Sequence, residues 1–132
     1  MLYVFNISTP ANTAASAKVK TVLKVAYGIV HRVEIQFPPG PAGLLHLQIR
    51  NALNQVWPFN TDSSFASHNV NISFREFIPV IVEPFEFQAY TWNLDDTYAH
   101  SVIIRLGILH PRVIAPWMLS FTERIDSLLG EP

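Results

Sequence analysis

The sequence predicts an all-β fold, an antiparallel β-sandwich of the jelly-roll kind with a short C-terminal α-helix, and three observations lead there. Apolar and polar residues alternate from Thr21 to Ile49 through two segments joined by Pro38-Pro39-Gly40-Pro41. Val33, Ile35 and Phe37 then face one way and Arg32, Glu34 and Gln36 the other, while Leu45, Leu47 and Ile49 oppose His46, Gln48 and Arg50. Turn-forming residues recur roughly every ten positions through about seven or eight such segments, the spacing of a sandwich or jelly roll. Only at Pro116 does the period change to that of a helix.

The elements follow in order. Leu2 to Ile7 reads as a strand and Ser8 to Ala17 as a polar, small-residue loop or arm, so residues 1–19 form a strand that pairs at home or reaches a neighbouring sheet. Lys20 to Ala26 and Ile29 to Phe37 are strands, with Gly28 between them as a bulge or tight bend. Gly43 to Arg50 and Gln55 to Phe59 come next, joined by Asn51-Ala52-Leu53-Asn54, and Pro58 confines the second to a sheet edge or strand end. Asn60 to Asn69 is a polar loop. Val70, Ile72 and Phe74 alternate with Asn71, Ser73 and Arg75, after which Pro79 and Pro84 bracket an apolar linker. Phe85 to Trp92 and Ser101 to Leu109 complete the sandwich, residues 20–110. Over residues 116–129, Trp117, Phe121, Ile125, Leu128 and Leu129 recur at helical spacing, with Pro116 suited to the first turn and Gly130 to the position past the end.

A chain of 132 residues fits one domain, 1–132, with a substantial core. Hydrophobic residues make up 49% and charged residues 14%, well below the usual quarter for charge; a small sandwich with a large core gives this composition, and so does surface covered by other subunits, the reading that leads to a homo-oligomer. A net charge of -1 gives no basic field for direct nucleic-acid binding. There is no cysteine, so neither disulfides nor thiolate metal sites exist. The apolar runs are broken before the roughly 18 residues of a membrane span, and Met1 to Phe5 lacks a basic leader region, so no membrane partner and no cleaved signal are expected.

His31, His46, His68, His100 and His110 include no closely spaced ligand pair. His31 and His46 are expected on adjacent strands, but without a nearby carboxylate no metal site is expected. Asn93-Leu94-Asp95-Asp96 supplies oxygen ligands of the kind Ca²⁺ takes, yet ordinary turn chemistry explains the same residues. Aromatics gather around that connection and around Trp57 and Phe59. Glu86, Gln88, Tyr90 and Trp92 share one strand face, which places Tyr90 and Trp92 outward at its end; Trp92, Asp95, Asp96 and Tyr98 then form a candidate ligand face of the stacking-plus-carboxylate type used for carbohydrate. No nucleophile elbow, phosphate loop or metalloprotease helix is present, so no catalytic residues, no cofactor and no enzyme activity are expected; a jelly-roll enzyme using His31, His46 and His100 is a third class.

The section from Gly28 to Ile49, with Gln55-Val56-Trp57-Pro58-Phe59-Asn60 and the run Ala89 to His100, resembles small proteins of tailed bacterial viruses over about residues 20 to 110. Such proteins are similar in size and strand content to capsid decoration, or cement, proteins, which bind the outside of an icosahedral shell and tie neighbouring capsomers together. The resemblance implies a non-enzymatic virion structural protein at the capsid surface, with the major capsid protein or other virion subunits as partners. In that reading Tyr3 and Phe5 of the arm and Trp117, Phe121, Ile125 and Leu128 of the helix are the candidate interface residues.

Overall fold

The computed structural model describes residues 1–52 and 54–114. The helix expected over 116–129, with Trp117, Phe121, Ile125 and Leu128, lies outside the described residues. Within them are eight strands: β1 (Leu2–Thr9), β2 (Val19–Lys24), β3 (Gly28–Phe37), β4 (Leu45–Asn51), β5 (Asn54–Trp57), β6 (Val70–Val80), β7 (Glu86–Asn93) and β8 (His100–Leu109), followed by one helical turn, α1 (Pro111–Ile114). They form two four-stranded antiparallel sheets, the first in the order β1-β8-β3-β6 and the second β2-β7-β4-β5. Consecutive strands therefore change sheet at β1–β2, β2–β3, β3–β4, β5–β6, β6–β7 and β7–β8, and the chain is a jelly roll.

Period-two alternation sets the core. Val33, Ile35 and Phe37 of β3 and Val102, Ile104, Leu106 and Ile108 of β8 meet Leu45, Leu47 and Ile49 of β4 and Phe87 and Ala89 of β7, all fully or almost fully buried. At one end a polar latch closes the sandwich. Thr9 Oγ1 of the first sheet donates to Thr91 Oγ1 of the second at 2.8 Å, and Asn93 Nδ2 donates to the Thr9 carbonyl at 3.2 Å, so these buried polar groups are satisfied.

The apolar linker is shorter than its two prolines suggest, because β6 continues through Pro79 to Val80 and leaves residues 81–85 between β6 and β7. That is possible because β6 is an edge strand, paired only with β3, where a missing N–H is tolerated. Of the two expectations for the N-terminal strand, the structure has the one that pairs at home: β1 pairs with β8 over its full length, Leu2 opposite Gly107 to Thr9 opposite His100. Tyr3 and Phe5 stack at 6.5 Å and pack against their own core, so these two candidate interface residues are engaged at home, and Leu2 and Val4 are the large apolar side chains β1 exposes.

Gly28 opens β3 where nothing larger fits, since an added Cβ would stand 2.6 Å from Ile108 Cγ2 and 2.9 Å from the Leu109 carbonyl oxygen. Overpacking of this kind costs about 1–3 kcal/mol. Gly28→Ala is therefore expected to lower the urea midpoint with an unchanged slope; a midpoint equal to wild type would contradict the close approach.

Candidate functional site

The outer face of the second sheet carries the densest set of polar and aromatic side chains. β7 presents Glu86, Gln88, Tyr90 and Trp92 outward and β4 presents His46, Gln48 and Arg50, as their alternation requires. In register, His46 is opposite Trp92 and Gln48 opposite Tyr90. The His46 and Trp92 rings stack at 5.0 Å and 4°, and Lys18 Nζ stands 4.9 Å from the centroid of the Trp92 ring. Farther along, the Arg50 guanidinium lies 4.5 Å from the Tyr90 ring centroid.

The connection after β5 folds back over this sheet and is organised by one amide. Gln55 Nε2 faces the carbonyls of Pro58 at 2.6 Å, Ser63 at 3.0 Å and Asn60 at 3.1 Å, and Gln55 Oε1 accepts the Asp62 N–H at 3.1 Å. Gln48 Nε2 donates to the Ser63 carbonyl and Ser64 Oγ meets His46 Nδ1, both at 2.9 Å, which fastens the returning segment to β4. At the tip of this fixed turn Phe59 is 84% exposed, more than any other large hydrophobic side chain among the described residues. Beside it is an open concavity of about 640 Å³ lined by Arg50, Asn54, Gln55, Val56, Phe59, Thr61 and Asp62. Arg50 Nη2 donates to Gln48 Oε1 at 3.3 Å, and its buried Nε has no partner among the described residues. The result is an exposed aromatic on a hydrogen-bonded turn, with a cation and a carboxylate nearby.

The ligand face read from the sequence is not assembled in this way. Trp92 does lie on the outer face but is only 7% exposed, covered by His46 and Lys18. Asp95 is consumed by its own turn: Oδ1 accepts the N–H groups of Thr97 at 2.9 Å and Tyr98 at 3.3 Å, and Oδ2 meets His100 Nε2 at 2.7 Å. The Thr97 N–H first, His100 second and the Tyr98 N–H after them hold the Asp95 carboxyl below its ordinary range. Of the four residues only Asp96 and Tyr98 stay exposed. The turn reading of this loop fits its geometry, because Asn93 Oδ1 likewise accepts the Asp95 N–H at 3.0 Å.

The histidines are also dispersed. His31 and His46 sit in different sheets, because β3 and β4 are consecutive strands that change layer, and His100 is at the end of the sandwich. No group of three or more His, Cys, Asp or Glu suited to a metal occurs among the described residues. Nor is any helix among them long and apolar enough to cross a membrane.

Burial lowers the His46 pKa, so its neutral form is favoured in the folded chain. The unfolded chain binds the proton more readily; stability is therefore complete above the unfolded value of about 6.5 and is lost as pH falls through the lower folded value. His46→Gln is expected to flatten the thermal midpoint between pH 7 and the folded value while wild type declines. Parallel curves would show that another group carries the dependence.

These observations define the class as a jelly-roll domain with an aromatic-tipped groove beside one sheet. No family model matches the chain, and no curated protein matches it. Among solved structures it is similar to iron(II) HppE, at 7% identity over 80% of this chain and 43% of that one, with a TM-score of 0.43. It is similar to the hydroxypropylphosphonic acid epoxidase from S. wedmorenis in complex with fosfomycin at the same identity, coverage and TM-score. The chain spans less than half the length of these proteins, and the likeness is too low to bear on function.

Proposed function

We propose that this protein is a non-enzymatic virion structural protein that decorates or cements a viral capsid, its copies joined into closed homo-oligomers through the Phe59 groove and seated on the major capsid protein. The observation that supports this most is Phe59 itself. An aromatic ring left 84% exposed on a turn fixed around Gln55 has no role in its own core, and presenting it rigid lowers the ordering cost of a contact. Arg50 and Asp62 beside it supply the polar margin that interface anchors have. A low fraction of charged residues and the resemblance over residues 20 to 110 agree with burial in an assembly, where many copies multiply a modest single contact. Particles purified from cells carrying the gene should contain the chain in stoichiometric amount by mass spectrometry. Particles without it would overturn the reading.

The same groove favours a second reading, a carbohydrate-binding module, because a sugar stacks on an exposed ring and bonds to flanking Asn, Asp and Arg side chains. It moves the ligand position from Trp92 and Tyr98 to Phe59, Asn54 and Asp62. Retention of wild type on a glycan array, lost in Phe59→Ala, would favour it; no retention on any glycan would end it.

A further inference from the structure

On the opposite side of the sandwich, the first sheet has an irregular row. Between Val30 and Arg32 the register of β3 slips against both neighbours. Val30 is opposite Ile108 and Arg32 is opposite Gly107, so His31 is an extra residue against β8 and is turned onto the solvent face together with Arg32. Against β6, Arg32 is directly opposite Arg75. Two like charges as direct cross-strand partners oppose pairing, and a sheet selected for stability alone would place a carboxylate at one of them. Arg32 has Glu34 at 3.0 Å, but Arg75 has no carboxylate partner among the described residues.

The row is also concave. His31, Arg32, Arg75 and Glu76 line an open hollow of about 390 Å³. On the β8 side Gly107 gives the bulge room, since a Cβ there would stand 3.1 Å from His31 Nε2 and 3.4 Å from Arg32 Cβ. Glu76 does not neutralise the arginines by bonding, because its Oε1 accepts from Trp57 Nε1 at 3.2 Å and its Oε2 from the Phe77 N–H at 3.1 Å. A bulge that re-aims His31, with Gly107 making room for it, and an Arg75 without a carboxylate partner among the described residues facing Arg32 meet at one hollow.

We infer that this hollow is an oxyanion-binding site, taking a phosphate or carboxylate group between Arg32 and Arg75 with His31 at its side. Guanidinium groups bind both anions through paired N–H donors, and an anion between them turns their repulsion into attraction. The site is independent of the Phe59 groove and stands or falls separately.

The test is thermal unfolding of the full chain at fixed ionic strength, titrated with inorganic phosphate or with glutarate. Wild type is expected to gain a few degrees, roughly what a ligand at ten times its dissociation constant gives a domain of this size. Arg75→Gln is expected to start higher than wild type without the anion, and to show only the small general effect that phosphate has on any protein. Lys24→Gln, which removes one charge from the other sheet, is expected to keep the wild-type response. A response to phosphate alone identifies a phosphoryl ligand and a response to glutarate alone a carboxylate. An equal gain in Arg75→Gln and wild type, or no gain in wild type with either anion, would overturn the site.

Discussion

Phe87→Ala is expected to lower the unfolding free energy by about 3–5 kcal/mol, the usual cost of removing a fully buried aromatic. Phe87 is completely buried on the inner face of β7, and its ring lies 5.1 Å from that of Trp57 on the edge strand β5. Trp57 in turn donates through Nε1 to Glu76 on β6, the edge strand of the other sheet. The cavity would thus open where the two sheets are held together at their edges, with little freedom to collapse. Urea denaturation checks this directly. A loss below about 1.5 kcal/mol, the range of a volume-conserving swap, would show that the site repacks.

Phe59→Ala is expected to do the reverse, leaving stability within about 0.5 kcal/mol because the ring is exposed. It should weaken the contact to the partner by about 2 kcal/mol, close to thirtyfold, if the ring is the anchor. Gln55→Ala is the companion variant. It keeps the ring but removes the amide that faces the carbonyls of Pro58, Asn60 and Ser63 and accepts the Asp62 N–H. Contact should weaken through loss of order in the turn, seen as faster dissociation, and a Gln55→Ala protein that binds like wild type would show that the turn needs no such support.

The architecture was legible because each layer of the sandwich obeys period two. Val33, Ile35 and Phe37, with Leu45, Leu47 and Ile49, go to the core as their alternation demands. The helix-like tail lies outside the described residues and is neither supported nor opposed. Alternation says which face a residue takes and not what lies over that face. Alternation therefore puts Trp92 outward, as it is, but cannot show that Lys18 and His46, from either side of β7, cover its ring. The same limit hides the edge position of β6, since Pro79 looks like a break until β6 is known to have one neighbour, whereas Pro58 does mark the edge at β5.

Site residues were harder to read because their grouping depends on a return of the chain. Arg50 and Asp62 are twelve positions apart with a hairpin and a turn between them, and only the wrapping of the turn around Gln55 brings both to Phe59. A signal was present in Trp57-Pro58-Phe59-Asn60, where an aromatic ring sits in a turn between Pro and Asn with no apolar alternation to bury it. His31 gave no signal, since a bulge that turns it beside Arg32 depends on pairing with both β6 and β8.

Light scattering coupled to size exclusion, over a wide range of concentration, tests the assembly reading most directly when wild type is run beside Phe59→Asp. A closed wild-type oligomer that survives dilution, with a monomeric and folded Phe59→Asp, is the result expected. A wild-type monomer at every concentration, or an oligomer of the same mass in both proteins, would contradict assembly through the Phe59 groove.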